Sequence, residues 1–86
     1  MTMKYDIFFT ATFEKQVKKI KKKDKLLFTR IKKKVQEIAE SPEHYKPLRN
    51  TLKGFRRTHI DSFVLVFSVQ KSLITFHYVK HHDNAY

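Results

Sequence analysis

At 86 residues and without a cysteine, the chain is expected to form one small domain, 1–86, that buries about 60–65% of its unfolded surface with no disulfide framework or thiolate metal site to help. A composition that is 41% apolar, with eight Phe, argues against disorder, while the longest apolar run, "FVLVF" at 63–67, is far short of the ~20 residues of a membrane span. Nineteen Lys and Arg against eight acids leave a formal charge of +11, which points to RNA, DNA or an acidic protein as partner.

The N-terminus carries no signal-peptide pattern, so the expectation is a soluble cytoplasmic protein with no membrane partner. The excess of Lys over Arg, fifteen to four, is also what ordinary solvated helices carry.

In chain order, "KYDIFFT" at 4–10 combines aromatic and β-branched residues and is predicted to be a strand. Thr10 or Thr12 then caps a helix, because a threonine oxygen can accept from the free N–H groups of a first turn. Phe13, Val17 and Ile20 form one apolar stripe on that short helix. The run "KKIKKKDK" at 18–25 breaks the stripe, and Asp24 is placed to cap a second helix beginning at Leu26. Leu27, Ile31, Val35 and Ile38 repeat at helical spacing until Ser41-Pro42 stops the helix.

A polar connection spans 42–54, holding both prolines and the only glycine. From Phe55 the period changes to two: "FRRTHI", a turn near Asp61-Ser62, "FVLVFSV", a turn at Gln70-Lys71-Ser72, then "LITFHYV", which reads as a three-stranded meander. The middle strand is apolar on both faces and is expected to be central, with both helices on one side. The fold class is α+β: a two-helix hairpin on a small, twisted, mainly antiparallel sheet in the order β-α-α-β-β-β.

Five histidines invite a zinc reading, and their spacing argues against one. Adjacent His81 and His82 point to opposite faces if extended, no Cys is present and the acids lie in or near turns, so no metal site is expected. Acid–base chemistry on RNA is the stronger alternative. Cleaving a phosphodiester by its own 2′-OH needs a base, an acid for the leaving 5′-oxygen, and cations to steady the phosphate charge. Imidazoles suit the first two tasks. His59 and His82, with Lys46, Arg49, Lys53, Arg56 and Arg57 close in sequence, supply every part, although composition alone does not make that set specific.

Strand parity sorts the set. Phe55, Arg57 and His59 share one face of their strand, and Arg56, Thr58 and Ile60 share the other. In the last strand Ile74, Phe76 and Tyr78 are expected to face the core. Thr75, His77 and Val79 are expected opposite, with His77 a partly buried sheet histidine.

The stretch "PLRNTLKGFRRTHID" continuing into "SFVLVFSV" (47–69) resembles YafQ-type toxins of the RelE/ParE superfamily of type II toxin–antitoxin systems. The resemblance rests on Pro-Leu, Lys-Gly-aromatic-Arg, the subsequent histidine and the hydrophobic strand in register, and the predicted element order extends it over the whole chain. It implies a metal-independent, cofactor-free mRNA interferase, an endoribonuclease that acts on mRNA at the ribosome in contact with ribosomal RNA. It also implies a cognate acidic antitoxin that silences the toxin. By the same resemblance His59 matches a strand histidine and His82 a C-terminal catalytic histidine. Asp61 lies near an acid just after the strand, and Tyr86 matches a terminal aromatic. Lys46 stands where such toxins often carry histidine, and Tyr78 where relatives carry a phosphate-contacting arginine. His82 is the expected acid, with His59 and Asp61 providing or orienting the base. Tyr86 would stack or transfer a proton, and Lys46, Arg49, Lys53 and Arg56 would hold phosphate. Two other outcomes share the fold: a ParE-like toxin acting on DNA gyrase, and an inactive basic nucleic-acid-binding member.

Overall fold

A computed structural model describes residues 5–45 and 54–81. The elements are β1 (Asp6–Phe9), α1 (Ala11–Lys23), α2 (Lys25–Glu40), a short 3-10 turn (Pro42–His44), β2 (Phe55–Ile60), β3 (Phe63–Gln70) and β4 (Leu73–His81). They form one four-stranded sheet ordered β1-β4-β3-β2. The β1–β4 pair is parallel, and β4–β3 and β3–β2 are antiparallel. The predicted α+β architecture and element order are those observed. No helix among the described residues is long and apolar enough to cross a membrane.

Local chemistry sets the boundaries. Thr10 caps α1 by accepting the Phe13 N–H at 3.0 Å. Asp24 terminates α1 and starts α2: its N–H reaches the Ile20 carbonyl at 2.7 Å, while its carboxylate accepts the Leu27 N–H at 3.0 Å. The lysine run continues the first helix as far as Lys23. Lys21, Lys22 and Lys23 form its last turn, where cations oppose the negative end of the helix dipole. After α2, Ser41 is extended and Pro42 opens the 3-10 turn.

Both hairpins close with two residues between paired positions, Ile60 with Phe63 and Gln70 with Leu73. Asp61 and Lys71 each take a φ of 54° there, the left-handed geometry that suits a two-residue hairpin to strand twist. Gly54 sits at φ 83° and its carbonyl accepts the Val69 N–H at 2.9 Å. A Cβ there would lie 2.3 Å from the Val69 carbonyl oxygen, so glycine is needed at the entry to β2.

The core lies between the sheet and the two helices. Ile31, Ile38, Leu65, Phe67, Ile74 and Phe76 are the apolar side chains most completely removed from water. Phe9, Phe13, Phe76 and Phe67 make a run of ring contacts 5.4–6.0 Å apart, extended by the edge of Tyr45, a spacing at which aromatic pairs attract beyond their area burial.

One expectation is corrected. Val66 pairs with Tyr78 and Phe67 with Phe76, so His77 is an extra residue in β4. This bulge reverses the in–out parity of the last part of the strand. Val79, paired with Leu65, enters the core. Tyr78 turns to the face away from the helices, where the simple alternation placed Val79.

Candidate nucleic-acid face

The face of the sheet turned away from the helices carries Arg57, His59, Tyr78 and Lys80. Its rows are set by strand register. Arg57 pairs with Val66, which pairs with Tyr78; His59 pairs with Val64, which pairs with Lys80. Two strand spacings put His59 and Lys80 about 10 Å apart. Val64 and Val66, the middle members of these rows, are buried, which gives the face an apolar floor with polar and cationic edges. The Lys80 ammonium lies 5.5 Å from the Tyr78 ring centroid, near enough for a cation–π attraction. His59 and Arg57 are exposed, which places an imidazole and a guanidinium two residues apart at the solvent side of this face. Together they offer a proton carrier beside a cation, on a surface wide enough for a nucleic-acid backbone.

At the end of this face nearest Gly54, Phe55 stacks on His77 with centroids 4.6 Å apart. The His77 Nε2 is 2.8 Å from the Ser68 hydroxyl. Burial pushes the His77 imidazole below its usual pKa, which favours the neutral ring in this stack. The expected partly buried sheet histidine is what the geometry gives.

Two sequence candidates lie elsewhere. Arg56 pairs with Phe67 on the helix side of β2, and its Nη1 donates to the Pro42 carbonyl at 2.6 Å. It therefore braces the strand against the 3-10 turn instead of joining Arg57 on the open face. Asp61, in the β2–β3 turn, accepts from the Arg30 Nη1 with both carboxylate oxygens, at 2.6 and 2.7 Å. That carboxylate raises the Arg30 pKa by hydrogen bonding and charge. Asp61 is thus held toward α2 and away from the His59 imidazole row.

The sequence reading missed Arg30, the one arginine in α2. Its chemical difference from the surrounding lysines was the available signal, because a planar guanidinium suits a carboxylate partner. The reading also missed that Tyr78 joins Lys80 on the open face. Of the remaining candidates, His82, Tyr86, Lys46, Arg49 and Lys53 lie outside the described residues.

Comparison with known proteins adds the decisive observation. Residues 7–86 match the model of the ParE toxin family of the type II toxin–antitoxin system parDE. The chain belongs to this toxin family. A toxin candidate of Methanocaldococcus jannaschii, RelE4, is 45% identical to this ParE-family toxin over 85 residues, covering 95% of the chain and 90% of that protein. The wider grouping is the RelE/ParE superfamily. Solved structures agree in fold. The archaeal RelE–RelB complex of Pyrococcus horikoshii matches with a TM-score of 0.77 at 16% identity, over 96% of this toxin and 100% of that chain. The Escherichia coli DinJ–YafQ complex gives 0.69 at 19% identity, over 98% and 99%.

Proposed function

We propose that this toxin is a metal-independent endoribonuclease that cleaves mRNA on the ribosome, with the open sheet face as its RNA surface. The observation that carries the reading is the placement of His59 and Arg57 side by side on that face, with Lys80 across the sheet in the same row as His59. A base at this row takes the proton from a ribose 2′-OH, the 2′-oxygen bonds to phosphorus, and the bond from phosphorus to the 5′-oxygen breaks. The leaving oxygen takes a proton from an acid, and a 2′,3′-cyclic phosphate remains. His59 is the base in this scheme and Arg57 steadies the phosphate charge. His82 is the acid, on the resemblance to YafQ-type toxins. Tyr86 stacks on a base, and Lys46, Arg49 and Lys53 add phosphate contacts. Asp61, engaged by Arg30, acts by holding the hairpin that carries His59. An acidic antitoxin is the silencing partner in this reading, supported by the charge of +11 and by the DinJ–YafQ structure of this fold being a toxin–antitoxin complex, and the ribosomal target implies action in the cytoplasm.

The test is cleavage of mRNA on purified ribosomes by the parent, His59→Ala and His82→Ala. Loss of cleavage in both variants with the fold retained supports the scheme; unchanged cleavage in both refutes it. The second reading, a gyrase poison, is favoured by the match to the ParE family itself. Inhibition of gyrase supercoiling with no cleavage on ribosomes would establish it.

A further inference from the structure

At the Gly54 end of the outer sheet face, one register row crosses all four strands: Phe8 pairs with Thr75, Thr75 with Ser68, and Ser68 with Phe55. Its member on β3 is the short one. Ser68 leaves room above its hydroxyl for rings from β2 and β4, two strands that β3 keeps apart. Phe55 from β2 and His77 from β4 close over that gap, with centroids 4.6 Å apart and ring planes inclined by 24°, and Ser68 is buried beneath them. The hydroxyl fixes the second ring through its 2.8 Å contact with the His77 Nε2. Phe55 and His77 are themselves only half-buried, so this pair, unlike the rings of the core, keeps π surface at the solvent boundary.

We propose that the Phe55–His77 pair is a nucleobase-stacking subsite, on which one base of a single-stranded RNA lies while Arg57 takes the adjoining phosphate. The platform and the cation choose the occupant together. Every base has a π face, so stacking on aromatic rings needs no match of polar edges. Arg57 is exposed and follows Phe55 by two residues on the same face, about 7 Å along the strand, a step that one nucleotide spans. Lys80 adds a second cation one row farther on. Phe8 marks where the subsite ends. It is 56% exposed, but it shares its side of β1 with Asp6, whose carboxylate repels phosphate. The inference rests on the reading of this face as an RNA surface, and adds a contact to a base where Arg57 and Lys80 offer contacts to the backbone. A purine covers more of the platform than a pyrimidine, so the subsite favours adenine or guanine at that position.

The experiment uses the full chain with 2′-O-methyl hexanucleotides, which present bases and phosphates but have no free 2′-OH to attack phosphorus. Fluorescence anisotropy compares an adenine, a uracil and an abasic hexamer. The parent is expected to bind the adenine hexamer about tenfold or more tighter than the abasic one, with uracil between them. Phe55→Leu should remove most of that ratio while changing abasic binding by about twofold at most, Phe55→Tyr should keep it, and Arg57→Gln should weaken all three hexamers alike. In NMR spectra of the parent, the ring resonances of Phe55 and His77 should move with the adenine hexamer and stay in place with the abasic one. The inference is overturned if the parent binds adenine and abasic hexamers equally, if Phe55→Leu weakens both to the same extent, if the base-dependent shifts fall on Phe8 instead, or if no hexamer binds. None of these measurements reads cleavage. A toxin that stacks bases here without cutting mRNA on ribosomes loses the nuclease reading and keeps the subsite, and one that cuts mRNA but does not distinguish the hexamers does the reverse.

Discussion

Gln16 of α1 accepts the backbone N–H of Val79 through its side-chain oxygen at 2.7 Å. This bond stands in for a missing strand. β1 ends at Phe9, opposite Phe76, and along the same edge the Thr10 hydroxyl donates to the His77 carbonyl at 2.7 Å while accepting the Phe13 N–H. The helix thus continues, with two side chains, the pairing that the short strand began. Gln16→Leu should leave the Val79 N–H without its acceptor and destabilise the fold by about 1–3 kcal/mol. Gln16→Glu, which keeps an acceptor oxygen, should stay close to the parent. Urea unfolding gives the energies. Hydrogen exchange at the Val79 amide localises the change, and equal exchange in all three proteins would show that the bond contributes nothing.

Gly54 offers a sharper backbone test. Alanine there meets the Val69 carbonyl oxygen at 2.3 Å and must also hold a φ of 83°, so the start of β2 has to shift. Loss of roughly 1–3 kcal/mol is expected. Because Phe55 comes directly after it and stacks on His77, the His77 ring resonances should move as well. A Gly54→Ala protein as stable as the parent would mean that the β2 entry accommodates a side chain without strain.

His77 gives a signed pH dependence. Its pKa is lowered in the fold by burial, so the unfolded chain takes up this proton first as pH falls. Stability from this group is complete above the unfolded value of about 6.5 and declines as pH drops through that value toward the folded one. His77→Gln should therefore lose less stability than the parent between about pH 7 and pH 5. Equal slopes in paired urea titrations would remove His77 as a source of acid sensitivity.

The sequence made the sheet legible because the last three strands obey a period of two and their turns contain the residues that tolerate tight geometry. The same alternation correctly set Arg57 and His59 apart from Arg56. It failed at the bulge. "LITFHYV" alternates without interruption, yet burying Ile74, Phe76 and Val79 together requires one extra residue, and that requirement comes from packing against α1. The Arg30–Asp61 pair was hidden for another reason. Its members are 31 positions apart, and only the packing of α2 beside the hairpin brings them together. Both surprises are tertiary, which is why local pattern placed the open face and misassigned two of its neighbours.

The roles of His59 and Asp61 can be separated by their surroundings. His59 lies on the sheet face turned away from the helices, and both Asp61 oxygens accept from Arg30 in the turn beside α2. If the imidazole transfers the proton, His59→Ala should lower cleavage on ribosomes by about 10²–10⁴-fold. Asp61→Asn should lower it by less than about tenfold, because a positioning residue acts through hairpin order and an amide oxygen can still accept from Arg30. Arg30→Gln should then resemble Asp61→Asn, and the pair should be non-additive because both changes break one contact. A cleavage defect in Asp61→Asn as deep as that of His59→Ala, with the Arg30→Gln protein fully active, would move Asp61 into direct contact with the reacting groups and require the hairpin to turn away from α2 when RNA binds.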